Sequence, residues 1–472
     1  MTNTSTHHGD QPASRYDVQL FGNGERSYGR LFPHLPLAYY RPDQLDAAAA
    51  LMRMPDNKVD DAAKRWNAPA AEPPPATGAE NDRIPAGHTY VGQFIDHDLT
   101  FDLGSDLGRT DPGVGPMNFR TPRFDLDSVY GQGPDAQPYL YESDGATLVI
   151  DNNDLPRLGA VAVIGDPRND ENAIVAQVHL AMMQRHNEFV AAGHGFEDAR
   201  RLTRWHYQWA VLHDFLPTLC GRTVYDDVLS GDGVQLLPWP YGQIMPVEFS
   251  GAAYRFGHSQ VRSDYVISPN QSPRPIFGAP GEDLRGHAPI DDGRRVDWSL
   301  LLDPALTPTF KIDTELSPAL FQLFGADDPA ADPPELPQGI GANLAARNLR
   351  RGVVLGLPSG ESILDDLITR EVVDLSSYAA VGADLGDITE AIRGAFWKSV
   401  PDAPPSTPLW GWVLAEAELA AGGVTLGPVG ARIVADTFVG LMHADPRSLL
   451  RAAPGWSPSK PSYGIRDLLG VG

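Results

Sequence analysis

The sequence predicts a mainly α-helical chain with long ordered loops. Two long amphipathic segments stand back to back between residues 171 and 221, strand-type alternation is scarce, and proline and glycine gather between the helical runs rather than inside them. With 43 Pro and 47 Gly in 472 residues, the connections must be extensive.

The elements follow in chain order. Residues 1–82 read as an irregular arm and lead-in, rich in Pro, Asn, Asp and Ala and closing in "NAPAAEPPPATGAEND". His7 and His8 lie in this polar stretch, where a flexible tail and a metal-binding pair are both open readings. Helical patterning strengthens from "HTYVGQFIDHD" onward, and residues 83–472 read as one domain. The segment from Glu171 to Gly195 opens on a carboxylate-rich turn, carries Val175, Val178, Met182 and Phe189 at helical spacing, and stops at Gly193. Glu197 to Gly221 is a second long helix, expected to bend near Pro217. Proline-rich loops occupy 268–283 and 325–339. Shorter helices are expected in 341–352, 360–375, 409–423 and 427–443.

Composition excludes several classes. The 61 acidic residues exceed the 37 basic ones, giving a formal charge of -24, and such a surface repels nucleic acid and anionic membranes. No stretch approaches the run of about 20 apolar residues that crosses a bilayer. Cys220 is the single cysteine, so no internal disulfide or thiolate metal cluster can form, and a buried core position is expected for it. The N-terminus lacks a basic segment followed by an apolar one, so the expected location is the cytoplasm, or export without a classical signal peptide.

Five segments carry chemistry. In "GQFIDHDLTFD", His97 stands between Asp96 and Asp98 after an apolar pair, and consecutive helical positions point about 100° apart, so the three can serve separate partners. In "TPRFDLDSVYG", Thr121, Asp125 and Asp127 alternate with apolar residues; an extended loop would project them to one side as hard oxygen ligands for calcium, with Asp98 as a further ligand, or leave them as a solvated acidic turn. The loop is not an EF-hand, since the glycine and closing glutamate of that motif are missing. In "GDPRNDENAIV", Arg168 and Glu171 precede a helix, and Asp170 with Glu171 could simply complement its dipole. In "AAYRFGHSQVRSDY", His258 follows Gly257 and could ligate a metal or pack as a core residue. In "ARNLRRG", Asn348 could hold such a ligand and Arg351 could clamp an anion.

Taken in this order, the five segments resemble the animal-type haem peroxidases of the peroxidase and cyclooxygenase superfamily, over about Tyr90 to Pro446. The resemblance implies a single large helical domain around a buried haem b. It implies His97 as the distal histidine with Gln93 lining the same pocket, Arg168 beside the peroxide, and Glu171 near the haem edge. It implies His258 as the axial iron ligand, Arg255 toward the haem periphery, Asn348 accepting from the imidazole, and Arg351 pairing with a propionate. Asp98, Thr121, the Arg123 carbonyl, Asp125 and Asp127 would hold calcium. Asp96 and Glu171 are the positions that carry haem esters in the mammalian members. Asn172 stands where myeloperoxidase has the methionine of its sulfonium link, so that link and strong chloride oxidation are not expected.

The implied activity is reduction of hydrogen peroxide with oxidation of a small organic donor or halide, with iodide, bromide or thiocyanate favoured over chloride. The leaderless, acidic chain is expected to resemble a bacterial member more than the mammalian ones. Two rival readings stay open. A fatty-acid dioxygenase of the same superfamily needs a tyrosine three residues before the proximal histidine, where this chain has Arg255, with Tyr254 one place further back. A non-catalytic, calcium-stabilised binding protein is the other. Reducing substrate and oligomeric state are not legible in the residues.

Overall fold

The structure is a computed structural model that describes residues 27–59, 78–101, 118–231, 234–237, 244–269, 271–279, 281–323 and 341–471. Much of the arm expected at 1–82, including His7 and His8, and the loop expected at 325–339 fall outside the described residues.

Helices dominate, as the periodicity predicts. The main ones are α1 (Pro42–Leu51), α2 (Gly87–Leu99), α3 (Ala173–Ala191), α4 (Phe196–Ala210), α5 (Gly257–Gln260), α6 (Leu344–Val354), α7 (Gly360–Thr369), α8 (Leu385–Trp397), α9 (Leu409–Ala421) and α10 (Pro428–Ala444). Strands among the described residues form four two-stranded pieces: Ser27–Gly29 parallel to Ile244–Pro246, and antiparallel pairs Glu80–Pro85 with Pro308–Phe310, Arg157–Leu158 with Val161–Ala162, and Asp264–Tyr265 with Arg274–Pro275. These staple loops to the helical body rather than build a sheet.

Helix α10 is buried on nearly every side, from Val429 through Met442, which marks it as the central rod of the core. Its neighbour α9 supplies the means of starting a helix in that interior. Glu416, fully buried, accepts from the backbone N–H of Val429 and Gly430 at 3.1 Å each, and from the Tyr378 hydroxyl. Those amides have no partner within α10, and a carboxylate there also complements the helix dipole. Burial raises the Glu416 pKa to about 7 despite these donors.

The two long helices differ from expectation at their ends. Asp170 and Glu171 do not cap α3; Asn172 does, its side chain accepting from Val175 N at 2.9 Å, while Asp170 receives two bonds from Arg157 at 2.7 and 2.8 Å. A short polar side chain one residue before the helix reaches the free amides better than a carboxylate further back. In the second helix the irregularity expected near Pro217 takes the form of a π turn just before it. After α4 the chain widens into a π turn, Val211–Phe215, and resumes as Leu216–Cys220. Proline cannot donate to the carbonyl four residues before it, and the wider turn absorbs the mismatch upstream. Cys220 is a free thiol buried at the end of this run. No helix among the described residues is long and apolar enough to cross a membrane.

Candidate active site and cation cluster

Helix α2 sends its acidic residues and histidine in three directions. Asp98 is fully buried and turns toward Asp125 and Asp127; His97, also buried, turns its Nδ1 to Asn169; and Asp96 receives the Thr100 hydroxyl at 3.2 Å. The helix ends in a polar interior, and its last carbonyls need donors. Arg168 supplies them, donating through Nη2 to the carbonyls of His97 (3.0 Å) and Thr100. The same guanidinium lies over the Phe101 ring, 4.6 Å from its centroid.

Arg168 is itself anchored. Asp166, fully buried, accepts from Arg168 N at 2.9 Å and Nη2 at 2.8 Å, and from Arg120 Nη2 at 2.6 Å. Burial alone would raise the Asp166 pKa, but the hydrogen bond and charge of Arg168, with Arg120 behind it, hold the carboxyl well below the usual range.

Gln93, His97 and Glu171 close the group. Gln93 Nε2 donates to Glu171 Oε1, which lies 3.6 Å from His97 Nε2, and Gln93 Oε1 accepts from Asn172 at 3.0 Å. Asn169 bridges two rings, its Oδ1 2.8 Å from His97 Nδ1 and its Nδ2 2.9 Å from His179 Nδ1. His179 is fully buried, and desolvation lowers its pKa to about 3, so the ring is neutral. The structure therefore brings together Gln93, His97, Arg168 and Glu171, and adds Asn169, Asn172, Asp166 and His179. Asn169 was readable only as a residue flanking Arg168, and Asn172 only for the covalent link it rules out.

Helix α5 packs against α2 and carries His258. Its Nδ1 is 2.7 Å from the buried Asn348 amide on α6. Burial first, then the charges of Arg255, Arg351 and Arg347, lower the His258 pKa to about 3, which keeps the imidazole neutral as a metal ligand must be. Arg255 Nε donates to Ser250 O at 2.9 Å, and Arg347 Nη1 to Gly341 O at 3.4 Å. Arg347, on α6 one turn before Arg351, joins the two arginines singled out from sequence. Tyr254 turns the other way: its hydroxyl donates to Gly92 O on α2 at 3.2 Å, and its ring stacks on Phe249.

The carboxylates of Asp98, Asp125 and Asp127 each place an oxygen within 4.8 Å of the others. The expected extended loop is not how they meet. Leu126, between the two loop aspartates, is left-handed (φ 60°, ψ 32°), and Asp127 already opens the short helix Asp127–Tyr130. A left-handed leucine costs about 1–2 kcal/mol, a strain typical of ligand clamps. Gln208 Nε2 holds the loop through the Phe124 carbonyl at 2.7 Å. Gly165 allows the approach from behind, since a Cβ there would sit 2.5 Å from Ser128 O. Asp98 Oδ2 is buried without a hydrogen-bond partner, and Asp127 Oδ1 has only the Arg120 ion pair at 3.3 Å. Burial and the neighbouring Asp125 and Asp127 charges push Asp98 strongly up, and Asp127 rises to about 7, burial first and Asp125 second. Thr121 and Arg123 lie on the same loop, joined by Arg123 N–H to Thr121 O at 2.7 Å.

Comparison with known proteins identifies the family and the fold. The family model of the animal haem peroxidases matches residues 109–445, a span that holds Arg168, His258 and Asn348, while Gln93, His97 and Asp98 precede it. A chorion peroxidase of Aedes aegypti is 25% identical over 304 residues, covering 59% of this chain and 33% of that protein. A peroxidase-like protein of Margaritifera margaritifera is 24% identical over 375 residues, covering 60% of this chain and 45% of that protein. The chain thus spans less than half the length of these curated relatives. Among solved structures, peroxidase A from Dictyostelium discoideum superposes with a TM-score of 0.54 at 18% identity, covering 83% of this chain and 82% of that one. An Oryza sativa fatty acid alpha-dioxygenase gives 0.53 at 16% identity, covering 83% and 75%. Both share the mainly helical fold, and with the family match over most of its length the chain belongs to the animal haem peroxidase family.

Proposed function

We propose that the chain is a haem-dependent peroxidase that reduces hydrogen peroxide at the expense of a small organic donor or a halide. One observation carries the reading: two histidines on packed helices, His97 and His258, each have Nδ1 tied to a buried asparagine amide and Nε2 left for other work. The donor set fits haem. A neutral His258 would bind iron through Nε2, with Nδ1–H donating to Asn348 once the amide presents its oxygen, an assignment that moves no heavy atom appreciably. Arg255, Arg347 and Arg351 around His258 match the carboxylates of such a group. Asp96 and Glu171 are the side chains for ester attachment.

Bound haem would supply the redox chemistry. The protein's part is proton movement and charge. Nε2 of His97 accepts a proton from one peroxide oxygen and returns it to the other. Arg168, held rigid by Asp166, the α2 carbonyls and Phe101, offers its charge where negative charge develops. Gln93, fixed between Asn172 and Glu171, presents a set amide rather than a mobile one.

The carboxylate trio supports calcium as a second ligand, since the buried, unpartnered Asp98 Oδ2 beside two further carboxylates needs a cation or a proton. Thr121 and the Arg123 carbonyl would complete the shell. The dioxygenase reading is weakened by Tyr254, whose hydroxyl is engaged by Gly92 O. The test is an absorption spectrum of the purified chain followed by turnover with peroxide. A Soret band, with oxidation of iodide, bromide or thiocyanate faster than chloride, supports the proposal. Oxygen uptake with a fatty acid and no peroxide would replace it with the dioxygenase reading.

A further inference from the structure

The amide of Asn169 has one acceptor end and one donor end, and each faces the Nδ1 of a different histidine. The two rings are therefore tied to opposite tautomers. With Oδ1 toward His97, the His97 Nδ1 must carry the proton and donate, and its Nε2 is bare; with Nδ2 toward His179, the His179 Nδ1 is bare and its proton sits on Nε2. Asn169 and His179 are both fully buried, so no water competes for the amide. His179 Nε2 has no hydrogen-bond partner, and its ring meets Phe94 edge-on at 6.1 Å between centroids. A buried polar atom left without a partner costs on the order of 1–3 kcal/mol, so the second ring is kept there against its own solvation.

We propose that Asn169, with His179 behind it, is the positioning pair that holds His97 in the Nδ1–H tautomer, with Nε2 bare toward Glu171 and the pocket. The inference rests on the peroxidase reading only for its kinetic consequence. Neither residue touches the reacting atoms: Asn169 acts through His97, and His179 acts through Asn169, its bare Nδ1 favouring the amide N–H on its own side. Were it to turn, His97 Nε2 would carry the proton and could not accept one from peroxide. A wrong tautomer at a catalytic imidazole elsewhere costs about 10⁴ in rate.

The experiment uses the full chain with haem in the diamagnetic ferrous carbonmonoxy form and ¹⁵N-labelled histidine. Two-bond nitrogen–proton correlations read the tautomer of each ring, and the His97 signals are identified by their loss in His97→Gln. The expected wild-type result is His97 protonated at Nδ1 and His179 at Nε2. Asn169→Leu should abolish the His97 preference, and His179→Phe should weaken it. Asn169→Asp, which still accepts from His97, should retain it. Rates of reaction of the ferric protein with peroxide should follow the same order, with Asn169→Leu about 100-fold slower and Asn169→Asp within about 10-fold of wild type. A wild-type His97 protonated at Nε2 alone, or an Asn169→Leu protein whose His97 keeps the wild-type tautomer, would overturn the proposal. Tautomers that shift as expected while the peroxide rate stays unchanged would leave the positioning pair standing and remove the peroxidase reading instead.

Discussion

Replacing Asp166 by asparagine probes the anchor beneath Arg168. The carboxylate is fully buried and receives Arg120 at 2.6 and 3.2 Å and Arg168 at 2.8, 2.9 and 3.2 Å. Asparagine keeps the shape but removes the charge and turns one acceptor into a donor facing a guanidinium. Removing one partner of a buried ion pair costs about 3–5 kcal/mol; Arg168 keeps 24% of its side-chain surface exposed and can regain some water, which favours the lower end, about 3 kcal/mol. That is roughly a hundredfold in the folded-to-unfolded ratio. The pH dependence has a definite sign. A carboxyl whose folded pKa is depressed stabilises the protein above its unfolded value of about 4 and loses that contribution as pH falls through the folded value. Urea unfolding followed by tryptophan fluorescence should therefore show a constant gap between wild type and Asp166→Asn from pH 8 to about 5, narrowing below about pH 4. Equal stability at pH 7, or a gap that widens on acidification, refutes the reasoning.

Three further outcomes are expected. Chelation at neutral pH should destabilise the protein and calcium should restore it, whereas Asp98→Asn should weaken the calcium response; urea midpoints with and without added calcium decide, and identical midpoints would discard the cation site. Asn348→Leu should weaken haem retention about 10- to 100-fold by removing the hydrogen bond that orients His258, measured by haem transfer to a scavenging protein; unchanged retention would exclude Asn348 as the orienting partner. Glu416→Ala should cost about 3 kcal/mol or more, since it strands the first amides of α10 and the Tyr378 hydroxyl in the core, and a denaturation midpoint within error of wild type would show that water enters to replace the carboxylate.

The fold class was legible because helical periodicity is local: α3, α4, α9 and α10 each announce themselves within a dozen or so residues. What escaped depends on neighbours remote in sequence or on fine backbone geometry. The π turn before Pro217 is a choice between two ways of accommodating a proline, and residue types do not distinguish them. Leu126 in a left-handed conformation is invisible to a reading that expects glycine or asparagine there, yet it is what brings Asp125 and Asp127 to Asp98. At the site, His97, Arg168, His258 and Asn348 could be singled out by motif, and the structure brings each into a bonded group. Asp166, Asn169 and His179 could not, because their meaning comes from Arg120, His97 and one another across α2 and α3. Arg347 differs from Arg351 only by one helical turn, and spacing from His258 alone does not reveal that both charges reach it.

The central claim is that one histidine holds haem while the other moves peroxide protons. Rapid mixing of the ferric haem protein with hydrogen peroxide, followed at the Soret band for wild type, His97→Ala and His258→Ala, tests it most directly. The account predicts a fast spectral shift in wild type, a shift slowed by about 10²-fold or more in His97→Ala with haem still bound, and haem lost or bound only weakly in His258→Ala. A wild-type protein that takes up no haem, or a His97→Ala protein that reacts with peroxide at the wild-type rate, would contradict it.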